Sequence, residues 1–235
     1  MLPVAILAGG LATRLRPMTA QVPKSLLAIA GRPFIFHQLE LLRSQGVEHV
    51  VLCVGHLADQ IRAQVGDGEG LGLTISYSYD GGQLLGTGGA VRKALPLLGQ
   101  DFFVLNGDSY LPCSWADVQS AYARAGRPAL MSVLRNDDRW DRSNVVFRDG
   151  ELVLYDKRSE RADMSYIDFG LSVFSSAVFS AYEAGQFLDL ADVCRELSTR
   201  GQLAAFEVPV RFYEIGSRQG IVETEEFLSR RLANA

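Results

Sequence analysis

The sequence has 235 residues, of which 48% are hydrophobic and 21% charged, and its formal net charge is −4. This composition is typical of a globular protein and excludes an intrinsically disordered chain. No stretch approaches the roughly 20 apolar residues that a membrane-spanning helix needs, so we expect no membrane segment. The negative charge argues against a nucleic-acid-binding surface and leaves small molecules and proteins as partners.

The cysteines and the N-terminal residues bear on the compartment. Cys53, Cys113 and Cys194 are few and far apart, which argues against a disulfide framework or a cysteine-based metal site and predicts buried thiols. The N-terminal residues lack the basic region and the long apolar core of a secretory signal peptide. We therefore expect a cytoplasmic protein, and the sequence leaves its oligomeric state open, a homo-oligomer included.

In the first part of the chain, strand patterns alternate with helical ones. The strands are mostly continuous apolar runs, which is typical of a mainly parallel sheet that helices cover on both faces. In chain order the patterns predict strand 4–8, a helix from Pro33 to near Gly46, strand 50–54, helix 58–65, strand 73–79, helix 89–98, strand 102–105, helix 115–124 and strand 129–134.

The pattern changes after residue 135. Asp149-Gly150 is a strong hairpin signal between two short strands, and Ser217 is a candidate N-cap for the last helix. The patterns predict strands 145–147, 152–155 and 166–174, helices 177–182 and 190–200, strands 203–208 and 211–214, and a helix from about Arg218. Because no linker or repeat interrupts the chain, we expect one α/β domain over residues 1–235.

The segment from Leu7 to Ser25, LAGGLATRLRPMTAQVPKS, carries the strongest chemical signal. It follows an apolar strand, and its glycines Gly9 and Gly10 allow a backbone to approach a bulky ligand and to cradle oxyanions with free N–H groups. The cations Arg14, Arg16 and Lys24 follow, a set that suits a triphosphate. The alternative for this segment is a glycine-rich turn with a solvated basic flank.

Two carboxylates stand at predicted strand ends. Asp108 closes the strand 102–105, and Glu214 closes the strand 211–214. Ligands of open α/β sheets bind at the carboxyl ends of strands, and a Mg²⁺ site needs one or two carboxylates together with substrate phosphates. The alternatives are a turn-capping aspartate and a glutamate on the surface of an edge strand.

Three further positions suit a nucleotide and a sugar phosphate. The loop LGTGGA (85–90) is glycine-rich and precedes a helix, so a base or ribose could lie on it and free N–H donors would face a ligand; Gln83 precedes it. Lys157 ends the hairpin and could hold a sugar phosphate, while Asp168 could accept hydrogen bonds from sugar hydroxyls. Solvated surface positions are the alternative for both residues.

Six ordered motifs together resemble the sugar-1-phosphate nucleotidylyltransferases, also called nucleotide-sugar pyrophosphorylases. They are GGLATRLRPMT with VPKS, LGTGGA, LNGDS, YDKR, IDFGL and FYEIGS, and they span essentially the whole chain. Within that family the sequence is most similar to the short D-glycero-α-D-manno-heptose-1-phosphate guanylyltransferases, and it also resembles the short N-acetylmuramate-1-phosphate uridylyltransferases. The resemblance implies a Rossmann-like three-layer α/β/α sandwich with a mainly parallel mixed sheet.

The resemblance also implies roles for individual residues. Catalysis would rest on Arg14, Lys24 and Asp108, with Mg²⁺ as the cofactor held by Asp108 and Glu214. The remaining roles are nucleotide binding by Leu7, Ala8, Gly9, Gly10, Gln83 and Gly88, and sugar-phosphate binding by Lys157, Asp168, Phe169 and Gly170.

Three positions depart from the family pattern. Ala12 stands where the signature usually has glycine, so this turn must avoid positive φ or tolerate strain. Ser25 replaces the usual proline after the lysine. Glu214 stands where many members have aspartate, and its extra methylene changes the reach of that carboxylate.

The expected reaction joins a nucleoside triphosphate and a sugar 1-phosphate into an NDP-sugar and pyrophosphate, with GTP and the manno-configured heptose 1-phosphate as the best pair. Uridylyl transfer to N-acetylmuramate 1-phosphate is one alternative. A non-catalytic nucleotide-sugar-binding subunit is another, which the presence of the phosphate cations and Asp108 disfavours. A glycosyltransferase usually carries an Asp-x-Asp motif, and a nicotinamide dehydrogenase needs GxGxxG; the sequence has neither.

Overall fold

The computed structural model describes residues 1–233, apart from the side chain of Arg14. Its strands are β1 (Val4–Leu7), β2 (Ala28–Ile29), β3 (Arg32–Pro33), β4 (His49–Val54), β5 (Thr74–Tyr79), β6 (Asp101–Asn106), β7 (Ser109–Tyr110), β8 (Ala129–Arg135), β9 (Val145–Arg148), β10 (Glu151–Tyr155), β11 (Tyr166–Ser175), β12 (Leu203–Glu207) and β13 (Tyr213–Glu214). Its α-helices are α1 (Phe34–Ser44), α2 (Ala58–Val65), α3 (Gly86–Leu98), α4 (Trp115–Ala125), α5 (Leu190–Thr199) and α6 (Arg218–Ala233).

Most predicted elements are present within a few residues of their expected bounds. Two elements differ in detail: the helix predicted at 177–182 is a 3₁₀ helix over Ser176–Ala181, and α3 begins three residues before the predicted start, inside the glycine-rich loop. The two-residue strands β2, β3 and β7 were not predicted, because they are too short to show a period.

The central sheet runs in the order β10-β9-β11-β6-β1-β4-β5, with β8 paired to β11 and β12 paired to β8. Strands β6, β1, β4 and β5 are parallel neighbours, whereas β11 is antiparallel to both β6 and β8. Because β1, β4 and β6 are parallel, their carboxyl ends meet at one edge of the sheet, which is where such folds bind ligands.

Helices cover both faces of this sheet and form two separate cores. Alternate residues of β1 serve the two cores: Val4 and Ile6 face the core under α1, α2 and α4, and Ala5 faces the core under α3 and α5. Trp115 is fully buried in the first core, with its ring 4.9 Å from that of Phe103. The predicted three-layer α/β arrangement with a mixed sheet is therefore confirmed.

Strand β11 contains a bulge next to the predicted sugar site. Asp168 pairs with Val133 and Ser172 with Met131, so three residues of β11 stand opposite one residue of β8. Gly170 lies inside this bulge with φ of +92°, a conformation that glycine adopts without steric cost. A Cβ on Gly170 would lie 3.3 Å from the Asn106 Nδ2, so the bulge lies next to the end of β6.

The C-terminal helix α6 belongs to a third, smaller core. Phe34, Tyr110, Ile215 and Leu228 are buried there together. Glu214 ends a strand, as predicted, but this strand, β13, pairs with β7 outside the central sheet. Among the described residues, no helix is both long and apolar enough to cross a membrane.

Ala12 adopts the left-handed conformation, with φ of 46° and ψ of 41°. The sequence left open whether this turn avoids positive φ or tolerates the strain of it, and the structure shows positive φ. The backbone is held there in part because the Thr19 hydroxyl donates a 2.8 Å hydrogen bond to the Ala12 carbonyl.

We expect Ala12→Gly to stabilise the protein, because glycine removes the Cβ clash of the left-handed conformation. The relief of about 1–2 kcal/mol exceeds the entropic cost of roughly 0.5–1 kcal/mol for a new glycine, so the melting temperature should rise by a few degrees. The matched control is Ala63→Gly, an exposed position in α2, where the same substitution should lower it. If the melting temperature fell equally in both variants, the backbone strain inferred at Ala12 would be contradicted.

Candidate active site

A cavity of about 400 Å³ opens at the carboxyl ends of β1, β4 and β6. Its wall brings together segments that lie far apart in the sequence, as the position of these strand ends predicts. The lining residues are Leu7, Ala8, Gly9, Gly10, Lys24, Ser25, Cys53, Asp80, Leu84, Gly86, Thr87, Ala90, Asn106, Gly107, Asp108 and Phe187. The predicted nucleotide residues 7–10 thus lie in the same wall as Lys24 and Asp108.

The two glycines after β1 have different reasons to be glycine. A Cβ on Gly9 would lie 3.0 Å from the Gly55 backbone nitrogen, so the close approach of β4 requires Gly9. A Cβ on Gly10 would meet no atom within 4 Å, and Gly10 is exposed. Protein packing therefore leaves Gly10 unexplained, whereas close approach of a ligand would account for it.

Three consecutive N–H groups follow β1 without backbone acceptors. Ala8 donates to the Cys53 carbonyl at 2.9 Å, but Gly9, Gly10 and Leu11 donate to no carbonyl within the described part of the chain. Successive free N–H groups at a turn form a concave site that attracts anions. This arrangement can hold phosphate oxygens.

Lys24 and Asp108 form an ion pair in the cavity wall. The Lys24 Nζ lies 2.5 Å from the Asp108 Oδ2, and each side chain is 22% exposed. Ser109 Oγ donates to the other carboxylate oxygen at 3.4 Å. The structure therefore brings two residues that are 84 positions apart into direct contact, with both still accessible from the cavity.

The turn that carries Asp108 is fixed against β1 and α1. Gly107 donates its N–H to the Leu7 carbonyl at 3.1 Å, and a Cβ on Gly107 would lie 3.1 Å from the Ala8 Cα. Gln38, buried in α1, donates to the carbonyls of Asn106 and Ser109 at 3.1 and 2.8 Å. We did not predict Gln38, although an amide within the apolar stripe Ile35, Leu39 and Leu42 was a visible signal.

The carboxylate of Glu214 is directed at the start of α6. It accepts hydrogen bonds from the Gly216 N–H and, at 2.6 Å, from the Ser217 hydroxyl. The backbone of this segment does reach the site, because the Ile215 N–H donates to the Asp108 carbonyl at 2.9 Å. Metal binding by Glu214 stays a prediction, and it would require the carboxylate to leave this cap.

Asp108 by itself fits a Mg²⁺ ion better than the predicted pair does. In residues 1–233, no three histidine, cysteine, aspartate or glutamate side chains are grouped as a metal site would need. Mg²⁺ commonly takes one or two carboxylates and completes its shell with water and substrate phosphates. The accessible Asp108 carboxylate next to an anion-binding turn suits that mode.

Asp80 is a buried acid in the same wall that the sequence analysis missed. It is 8% exposed, and its Oδ2 lies 3.5 Å from where a Cβ on Gly9 would stand. Burial raises the pKa of the Asp80 carboxyl, while the Leu85 N–H and Lys93 oppose that rise. Because it directly follows β5, its position at a strand end was the available signal.

The glycines of LGTGGA pack against the segment around Leu188, and of these glycines only Gly86 lines the cavity. Leu188 covers the start of α3: its carbonyl accepts the N–H groups of Gly88 and Gly89 at 2.8 and 3.1 Å, and its side chain would clash with a Cβ on Gly88. The expectation that this helix start presents free N–H donors therefore fails for Gly88 and Gly89. Neither Gly88 nor Gln83, which donates to the Gly185 carbonyl at 3.3 Å, lines the cavity.

A second, smaller cavity of about 100 Å³ adjoins the first. Leu7, Thr87 and Asn106 line both cavities, so one ligand could extend from the larger into the smaller. The other lining residues of the smaller cavity are Val104, Tyr155, Lys157, Asp168, Gly170, Ser172, Asp189, Leu190, Ala191 and Cys194.

Lys157 and Asp168 meet in this smaller cavity. The Lys157 Nζ lies 3.4 Å from the Asp168 Oδ2, and Lys157 remains 48% exposed. The Asp168 carboxylate raises the pKa of Lys157, which keeps the lysine charged. The Gly170 N–H donates to the other Asp168 oxygen at 2.9 Å. A half-exposed cation paired with a fixed acid can bind a phosphate and hydroxyl groups.

Two predicted residues contribute in a more limited way. The Phe169 ring is buried in the core, so only its backbone is available next to Gly170. The Arg14 side chain lies outside the described part of the structure, and its role as a phosphate ligand stays a prediction.

Comparison with known proteins connects this geometry to one family. The profile of the family described as nucleotidyl transferase matches residues 4–230. The chain is 34% identical over 197 residues to the N-acetylmuramate α-1-phosphate uridylyltransferase of Neisseria meningitidis, covering 81% of this chain and 82% of that protein.

A vertebrate relative and a solved structure are similar as well. The chain is 30% identical over 217 residues to the mannose-1-phosphate guanyltransferase beta-A of Xenopus laevis, covering 90% of this chain but spanning only 60% of that relative. The crystal structure of HddC from Yersinia pseudotuberculosis in complex with GMP-PN superposes with a TM-score of 0.78 at 25% identity, covering 97% of this chain and 100% of that one. The chain therefore belongs to the nucleotidyl transferase family.

Proposed function

We propose that this protein transfers a nucleoside monophosphate from a nucleoside triphosphate to a sugar 1-phosphate and releases pyrophosphate. The preferred substrates in this proposal are GTP and D-glycero-α-D-manno-heptose 1-phosphate. One observation carries the proposal: the Lys24–Asp108 pair lines one cavity together with Gly9 and Gly10, whose N–H groups have no backbone acceptor among the described residues. That cavity adjoins the one that holds Lys157.

The reaction needs alignment and charge neutralisation more than proton transfer. A sugar-phosphate oxygen attacks the α-phosphorus of the nucleotide, a new P–O bond forms, and the bond to the β-phosphate breaks. The nucleophile is already an anion, so no general base is required, and catalysis resembles other phosphoryl-type transfers. Lys157 would hold the sugar phosphate while the N–H groups of residues 9–11 hold the nucleotide phosphates.

Lys24 suits the departing pyrophosphate. Besides its pair with Asp108, it lines a polar cavity of about 220 Å³ together with Ala12, Thr13, Leu15 and Gly216. A cation between the two spaces can follow negative charge as it moves onto the leaving group. Asp108 would hold Mg²⁺, which when bound supplies further neutralisation of the phosphate charge.

The buried acid Asp80 supports GTP as the nucleotide. In its ionised form the Asp80 carboxylate only accepts hydrogen bonds, and guanine is the common base that presents two adjacent donors, N1–H and N2–H₂, on its Watson–Crick edge. Uracil presents N3–H between two carbonyl oxygens, which a carboxylate would repel. The Yersinia protein crystallised with GMP-PN is similar over its full length, which supports the same base.

The heptose is supported by the motif resemblance to the short heptose-phosphate guanylyltransferases. The second candidate is uridylyl transfer to N-acetylmuramate 1-phosphate, favoured by the Neisseria relative of that activity. A pyrophosphate-release screen of four nucleoside triphosphates against a panel of sugar 1-phosphates, including both of these sugars, separates the two candidates.

We expect Asp108→Asn to lower kcat by at least about 100-fold. The substitution removes the carboxylate that would hold the metal ion next to the reacting phosphates and that pairs with Lys24. The fold should persist, since the hydrogen bonds of this turn run through the backbone of Gly107 and the Gln38 amide. Pyrophosphate release measures the activity, and thermal unfolding checks the fold.

The matched control is Asp149→Asn, which makes the same chemical change at an exposed hairpin turn. Asparagine also tolerates the positive φ of 51° at that position. Near-normal turnover of Asp108→Asn with Mg²⁺ would remove Asp108 from the mechanism.

We expect wild-type protein to use GTP best and Asp80→Asn to shift preference toward UTP. The asparagine amide can accept a hydrogen bond from uracil N3–H through its oxygen and donate one to uracil O4 through its NH₂ group. Opposite guanine, the same NH₂ group would face one of the two donors and could not bond to it. The ratio of kcat/KM for GTP over UTP should fall by about 10- to 100-fold. The KM of the sugar phosphate, measured in the same variant, should stay within twofold. An unchanged nucleotide ratio would exclude Asp80 as the base-reading group.

A further inference from the structure

Phe187 is the most exposed large apolar side chain of the described residues, at 72%, and it stands at the rim of the larger cavity. It lies in the segment Gly185–Asp189, which precedes α5 and which we call the cover segment. None of the predicted roles involves this ring. An aromatic side chain left in water at the mouth of a cavity needs a physical reason.

The cover segment is fixed on both sides of Phe187. The Leu188 N–H donates to the Leu85 carbonyl at 2.8 Å, and the Thr87 hydroxyl donates to Asp189 Oδ1 at 3.0 Å. On the other side of Phe187, Gly185 accepts the Gln83 amide. The backbone that carries the ring is therefore held against the start of α3, so the ring projects from an anchored segment.

The glycine at position 86 leaves room for the Leu188 carbonyl oxygen, 2.6 Å from where a Cβ would stand, and for the ring. Its φ is +73°, and a Cβ there would lie 2.9 Å from Phe187 Cε2. The ring edge thus reaches over the backbone of Gly86, and both residues line the cavity wall with Leu84 and Ala90. This part of the wall is apolar, in contrast to the end that carries Lys24 and Asp108.

We propose that Phe187 stacks on the base of the bound nucleotide and closes the base slot from the solvent side. The slot would lie between this ring and the residues after β1, with Asp80 at its edge. A planar base has an apolar face that every nucleobase shares, so stacking contributes affinity without choosing the base. This inference rests on the proposed function for the location of the nucleotide.

The test measures binding without turnover. Calorimetric titration of GTP into Phe187→Ala, with no sugar phosphate, should show an affinity about 10-fold lower than wild type, because the stacking of the base on the ring is lost. Phe187→Tyr should keep the affinity within about twofold. Inorganic tripolyphosphate, which has no base, should bind equally to wild type and Phe187→Ala.

The matched control is Val153→Ala, which truncates an exposed apolar residue of β10 that lines none of the three described cavities. It should leave GTP affinity unchanged. Equal GTP affinity of wild type and Phe187→Ala, or equal losses for GTP and tripolyphosphate, would overturn the stacking role. Failure of the proposed function looks different: wild type would bind GTP, with the same Phe187 effect, but release no pyrophosphate with any sugar 1-phosphate.

Discussion

The close contact between Gly107 and the end of β1 is the constraint on which the site depends. The backbone of Gly107 lies against Leu7 and Ala8, and its N–H continues the parallel pairing of β6 with β1 by one more hydrogen bond. Any side chain at position 107 would separate the two strand ends. Asp108 reaches Lys24 only because these ends stay together, so the ion pair in the cavity is a consequence of backbone packing.

The two ends of the cavity also differ in polarity. The end near β6 carries charge, with Lys24, Asp108 and the free N–H groups after β1. The end near α3 is apolar except for Asp80, whose carboxyl has a pKa raised by burial. A nucleotide has the same division, with a charged tail and a planar base, and the match supports the orientation that we propose for it.

The glycine-rich start of α3 shows how one motif can serve a different purpose from the one its composition suggests. Gly86, Gly88 and Gly89 are small because the cover segment lies on them, and the N–H groups of Gly88 and Gly89 donate to the Leu188 carbonyl. Similarly, the carboxylate of Glu214 caps α6. In both cases the residue type was informative, but the sequence did not show its partner. The glycines pack against a segment about a hundred residues away, and Glu214 binds the start of the helix that follows it.

The sequence by itself determined the layers, most element bounds to within a few residues, and the glycine turn after β1. Strand and helix periods are local, so they fixed which segments form the sheet, and the glycines next to β1 with Lys24 and Asp108 identified one end of the cavity. The tertiary structure decided the rest. It alone brought the cover segment and Phe187 onto α3, buried Asp80 beside Gly9, placed Gln38 under the Asp108 turn and moved Glu214 to a helix cap. These contacts join segments that are distant in the chain, so a local sequence pattern cannot predict which donor a carboxylate will bind.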